Sequence, residues 1–421
     1  MSATERGPVV REVTSWLARN AMPLSGLVPG GDGSDLRALA GVLEGVRVVG
    51  LGEATHGTRE FFQLKHRLLE YLVTELGFTV LAMEASASAA PAVDAYVRDG
   101  VGDPAKAITD LGFWTWRTEE VLAVVEWMRA YNRGRPSARR VRFAGVDPQR
   151  CGHSLARLEP VLRELMPDRS AGLLAPLRVL ATAYPGALPD PRRRLVRDAE
   201  AVLDLLRGHA SETNDALRDA RILVRAADLV TRPRRDTCPE RTAFAARDRC
   251  MADAVAELLT DPSARVAVWA HNGHVTTQRH DGAVPVLGRH LRDRYGDAYY
   301  ALGLLFGSGA FRARRLRPGP WRRARFGAVA AHRIGPAPAD CVEAWLAAAH
   351  PGDHLLDLRR AVTAPPAVRQ WLGEPRPARS FGALAPRLTY RFHRSPVTLS
   401  QAYDGLAYIG VSSCSRPLPG P

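Results

Sequence analysis

At 421 residues, 46% hydrophobic and 24% charged, the chain has the makeup of an ordinary globular protein that buries a large core in one or two domains. Its formal net charge is +14, yet Lys65 and Lys106 are its sole lysines, so the excess reads as a solvated arginine surface from a GC-rich genome rather than a nucleic-acid groove; an acidic partner protein stays open. The first residues lack the apolar core of a signal peptide and no run is long enough to span a bilayer, which sets the expectation of a cytoplasmic protein without membrane partners, a monomer or weak dimer.

The predicted elements begin with the apolar run VRVVGL (46–51), read as a buried strand. It feeds directly into GLGEATHGTREFF (50–62), where Glu53 and His56 share a turn rich in glycine and threonine. That turn opens onto a helix start, whose free N–H groups favour an anion or a developing negative charge. In the helix FFQLKHRLLEYLVTEL, leucines 64, 68, 72 and 76 recur every fourth residue and Gly77 supplies the stop, with His66 and Arg67 on the outer half. The second strand, TVLAM (79–83), ends at Glu84, so strand, helix and strand make a right-handed crossover unit. The segment Trp114-Thr115-Trp116-Arg117 follows, its tryptophans suited either to a cleft wall or to core packing.

VRFAGV (141–146) is the third strand and runs into Asp147. From residue 151 to 259 every stretch has a helical period and none reads as a strand. This stretch is expected to be an all-helical insertion walling a cleft, carried by an α/β core of residues 1–150 and 260–421. ARVAVWA (264–270), the fourth strand, runs into His271 and His274, and AYYALGLLF (298–306) is the fifth. Beyond Gly307 the arginine- and proline-rich stretch to Pro338 reads as loops or short strands, and the end of the chain as packed irregular segments. Continuous rather than alternating apolar runs imply a mostly parallel sheet covered on both faces. Cys151, Cys238, Cys250, Cys341 and Cys414 are scattered without a CxxC, which argues against a disulfide framework and a thiolate zinc site.

Each of the first four strands thus ends in something that ionises: Glu53 with His56, Glu84, Asp147, and His271 with His274. In open parallel sheets, ligands bind outside the carboxyl ends of the strands, so these residues are expected to line one cleft. No GxSxG elbow, P-loop, GxGxxG or HExxH is present. What remains is carboxylates and imidazoles, the equipment for acid–base activation of water or for holding a hard or borderline metal.

The block GLGEATHGTREFFQLKHRLLEYLVTELGFTVLAMEAS resembles the opening of the erythromycin esterase family, which also includes proteins of succinoglycan biosynthesis. FWTWRTEEVLAVVEWMRAYN, VRFAGVDPQ, ARDRCMADAV and VAVWAHNGHV follow in the same order. The resemblance implies a three-layer α/β core with a helical insertion, and a macrolide-like lactone opened by a histidine-activated water with neither metal nor cofactor. It places the base on His56 and further catalytic roles on Glu53, Glu84 and His271. The residues assigned to substrate binding are His274, Lys65, Asp147, Trp114, Trp116 and Arg117. Lys65 stands where family esterases carry an arginine, which keeps the charge but loses the bidentate fork. Two rivals use the same residues: a biosynthetic tailoring enzyme for dehydration, cyclisation or acyl transfer, and a non-catalytic, haem-like binding protein. Carboxylate-rich strand ends weigh against the last.

Overall fold

The computed structural model describes residues 3–209, 214–318, 324–387 and 389–419. The strands in chain order are β1 (Ala21–Pro23), β2 (Val48–Leu51), β3 (Val80–Ser86), β4 (Arg142–Asp147), β5 (Val266–Trp269) and β6 (Tyr299–Pro318). After them come β7 (Ala324–Ile334), β8 (His354–Asp357), β9 (Arg376–Arg379), β10 (Leu384–Pro386), β11 (Arg394–Val397) and β12 (Gly405–Ser412). The main sheet runs β1-β8-β12-β6-β2-β5-β3-β4, parallel from β12 to β4 and antiparallel at β8 and β1.

β2, β3 and β5 are buried at every position, as their unbroken apolar runs require of strands covered on both faces. Their side chains still alternate between two layers. Val49, Leu81, Met83, Ala267 and Trp269 join the core that includes Phe61, Phe62 and Leu68 of the helix Arg59–Thr74. Val48, Val80, Ala82, Val266 and Val268 join a second cluster with Met251 and Val255 of the helix Ala243–Leu258 and with Leu287 and Leu291 of the helix Leu287–Tyr295. Helices on both faces of a mostly parallel sheet make the three-layer α/β architecture.

Several details depart from the sequence reading. β2 and β3 are not neighbours; β5 lies between them and pairs with both. The fifth strand does not stop at residue 306 but runs to Pro318 and folds back as β7. Its outer half alternates, with Phe311 and Ala313 buried and Arg312 and Arg314 on the other face; frequent arginines hid that period. Residues 319–323 lie outside the described residues. The chain end read as irregular contains β12, parallel to β6. His66 and Arg67 are buried, not outer: the His66 ring packs against Trp127 at 5.8 Å, while Arg67 Nη1 donates to the Gly26 carbonyl at 2.7 Å and its guanidinium pairs with Asp35 in the loop before the first central strand.

Within 151–259 the described elements are helical, and those up to Thr231 build a core of their own around Leu158, Leu162, Val196, Leu206 and Leu223. The helix Ala243–Leu258 differs, since its apolar face packs on the sheet. It is a layer of the α/β core. Among the described residues no helix is long and apolar enough to cross a membrane.

Candidate active site

The turn after β2 is stitched to its neighbours by backbone bonds. Ala270 N–H donates to the Leu51 carbonyl at 3.2 Å, Asn272 N–H to that of Glu53 at 2.9 Å, and Arg312 N–H to that of Gly57 at 3.0 Å. β6 passes so close that a Cβ on residue 57 would collide with the Arg312 backbone, which is why glycine stands there. The helix start that follows is not an open anion seat. Arg59 N–H donates to the Ser413 carbonyl at 3.0 Å and Gly57 N–H to Thr55 Oγ1 at 3.2 Å.

This turn fixes a buried chain of three side chains. Glu53, fully buried, accepts from His56 Nδ1 through Oε1 and from Lys65 Nζ through Oε2, both at 2.6 Å. A carboxylate can only accept, so Nδ1 of His56 carries a proton, and in the neutral ring the lone pair falls on Nε2. Trp116 closes edge-on against the His56 ring at 5.4 Å, and its own Nε1–H donates to the Glu84 carbonyl at 2.8 Å. Burial lowers the Lys65 ammonium to about 8 despite the pull of Glu53, which leaves it charged at neutral pH.

β3 and the segment after β5 supply a second, more heavily charged group. Glu84 Oε1 accepts from Arg247 Nη2 at 2.7 Å and lies 3.2 Å from His274 Nε2, while Oε2 accepts from the His271 N–H at 3.0 Å. Burial alone would raise this carboxyl, but His274 and Arg247 override it and hold Glu84 well below the usual range. Arg247 also donates to Asp147 Oδ2, by Nη2 at 2.7 Å and Nε at 3.1 Å, and these carboxylates outweigh burial to keep the guanidinium charged. His274 Nδ1 meets Asp248 Oδ1 at 2.5 Å. Burial would lower its pKa, but Asp248 and Glu84 push it up to about 10, so it is an imidazolium. His271 goes the other way: burial first, then His56 and His274, lower it to about 3. Its Nδ1 accepts from Gly273 N–H at 3.0 Å, and its ring sits 5.0 Å from that of His56.

His56, Glu84, His271, His274, Trp114 and Trp116 line one chamber of about 400 Å³ at the carboxyl edge of the sheet. Glu53, Lys65 and Asp147 do not. All three are fully buried behind the lining, Glu53 and Lys65 linked to it through His56, and Asp147 through Arg247 and Gln149. Arg117 is also displaced: its guanidinium donates to the Pro419 carbonyl and ties down the end of the chain. Among the described residues of the 151–259 stretch, Arg247 alone lines this chamber. Sequence reading missed Arg247 and Asp248. They lie inside the helix Ala243–Leu258, in ARDRCM, and a strand-end search passes over them.

The signature described as erythromycin esterase matches residues 73–411. YbfO of Bacillus subtilis, provisionally named a hydrolase, is 27% identical over 333 residues, covering 70% of this chain and 72% of that protein. Erythromycin esterase type II of Escherichia coli is 23% identical over 330 residues, covering 70% and 77%. A solved succinoglycan biosynthesis protein shares the fold, with a TM-score of 0.80 at 23% identity over 99% of this chain and 100% of its own.

Proposed function

The chain belongs to the erythromycin esterase family and is a hydrolase, and from that premise we propose that it opens an ester or lactone of a bulky natural product with His56 as general base. The observation that carries this reading is the 2.6 Å bond between His56 Nδ1 and Glu53, which leaves Nε2 as a proton acceptor on the chamber. A water at Nε2 loses its proton to His56 as its oxygen bonds to the substrate carbonyl carbon. Glu53 stabilises the imidazolium that forms, and Lys65 holds Glu53 in place. Negative charge gathers on the carbonyl oxygen, where Arg247 and His274 stand as cations in the lining. When the carbon–oxygen bond breaks, His56 returns the proton to the leaving alkoxide, and the products together hold the substrate plus one water. Neutral His271 cannot serve as a cationic acid near pH 7; it buttresses the His56 ring.

No step passes through a metal. Among the described residues no three or more histidine, cysteine or acidic side chains are grouped so as to hold one. Turnover is expected to survive dialysis against a strong chelator; loss restored only by zinc or manganese would overturn the base role of His56.

The experiment is a mass-spectrometric screen of macrocyclic lactones and acyclic esters incubated with the enzyme. Gain of one water by a substrate supports the reading. Loss of one water, with no hydrolysis product, would make the chain a lyase instead.

A further inference from the structure

Beyond the wall formed by His271, His274 and Gly382 lies a second cavity of about 540 Å³, larger than the chamber that contains His56. Those three residues line both spaces, so the two cavities adjoin there. Neither Glu84 nor Arg247 lines the second cavity. It is faced instead by the loop after His274 and by β9 and β11, and its chemistry is different in kind.

Three of the charged lining groups already have partners. Arg379 donates to the carbonyls of Gly307 and Gly335, Arg279 to that of Ala283 at 2.9 Å, and Asp281 lies 3.3 Å from His280. Gln278, His280, Ser380 and His393 add further donors and acceptors to the lining. Gln278 Oε1 accepts from Thr398 N–H at 3.0 Å, which fixes the amide and leaves its nitrogen as a donor. Among these polar groups stands Phe244, a large aromatic left 38% exposed, its ring 6.0 Å from His274 and 5.2 Å from His280. An uncovered aromatic face beside fixed amide, imidazole and hydroxyl groups matches a ring that shows C–H on its faces and hydroxyls around its rim.

We infer that this second cavity is a subsite for a neutral polyhydroxylated ring, a sugar or sugar-like polyol, carried on the alcohol side of the ester. The inference rests on the ester-hydrolase reading above. The alcohol side is assigned because Arg247, which meets the carbonyl oxygen, lines the first chamber and not this cavity, so that the leaving oxygen is the one directed here.

Two acetate esters of six-carbon alcohols test it, 6-O-acetylglucose and n-hexyl acetate, with released acetate as the common readout. The sugar ester is expected to show a kcat/KM at least about tenfold higher, the worth of one or two neutral hydrogen bonds. Ser395→Trp, which fills the cavity from β11, should erase that preference and leave hexyl acetate within about threefold of the original rate. Equal rates on both esters, or a preference that survives the plug, overturns the inference. Binding of methyl glucoside, followed by saturation-transfer NMR, decides the subsite without turnover. Binding that is lost in both Ser395→Trp and Phe244→Ala upholds the subsite even if neither ester is cleaved, in which case it is the hydrolase reading that falls. Absence of binding to the unaltered enzyme removes the subsite.

Discussion

Glu53 serves two neighbours with its two oxygens, and both are donors. An amide in its place must turn its NH₂ toward one of them, so Glu53→Gln keeps the shape and breaks the tautomer control of His56. A fall in kcat of about a thousandfold is expected, comparable to removing the base in His56→Ala, with the circular dichroism unchanged. Near-normal turnover in Glu53→Gln would detach this carboxylate from the reaction. His271 and His274 offer a second residue-scale test, because the fold shifts them in opposite directions. His271, lowered from 6.5 to about 3, contributes stability that is present above pH 6.5 and lost as the pH falls toward 3. His274, raised from 6.5 to about 10, contributes stability that is complete below pH 6.5 and lost as the pH rises through 10. Asp248→Asn removes a principal cause of the upward shift. The variant should therefore melt lower by an amount worth on the order of 3 kcal/mol at pH 6, and the gap should close toward pH 10. A gap constant over that range would show that Asp248 does not act through His274. Glu53, His56, Glu84, His271 and His274 were legible as strand-end residues, whereas Arg247 and Asp248 were not, since a helix interior offers no local sign of what it will face.

Among the elements, β6 ties the site to the core. Phe311 is fully buried and stacks on Phe381 at 4.5 Å, while the next residue, Arg312, holds the Gly57 carbonyl and Phe381 N–H holds that of Ala54. The ring pair therefore backs both anchors of the His56 turn. Phe311→Ala should cost about 3–5 kcal/mol in denaturant unfolding and reduce activity with it, through the loosened turn rather than a lost contact to substrate. A cost below about 1 kcal/mol would locate the support of that turn elsewhere. The alternation Phe311-Arg312-Ala313-Arg314 is a period-two signal, visible once polar positions are counted as well as apolar ones. The burial of His66 and Arg67 had no such sign. It depends on Trp127 packing against the one and on Asp35, more than thirty positions away by sequence number, pairing with the other.

At the scale of the molecule, the helices between Gly152 and Thr231 form a cluster separate from the clusters on either face of the sheet. A unit with its own core opens by itself when its links to the rest are fewer than its internal contacts. Native-state hydrogen exchange should find the helices Arg194–Arg207 and Asn214–Thr231 opening together, at a lower free energy than β2, β3 and β5. Exchange of all these elements at one common free energy would show a single cooperative body instead.

The sequence by itself determined the strands β2 to β5, the helix after the first of them and the residues at their ends, because apolar runs, periods and glycine stops are properties of a few neighbouring positions. Only the tertiary structure decided what those ends would face. By inserting β5 between β2 and β3, it brought His271 and His274 from the far part of the chain to lie between the His56 turn and Glu84. By laying the helix Ala243–Leu258 on the sheet, it put Arg247 against Glu84 and Asp147, and Asp248 against His274. Lys65 and Asp147 became supports rather than contacts for the same reason: burial is set by what packs over a residue, and pairing among buried strands of similar composition leaves no mark on any local pattern.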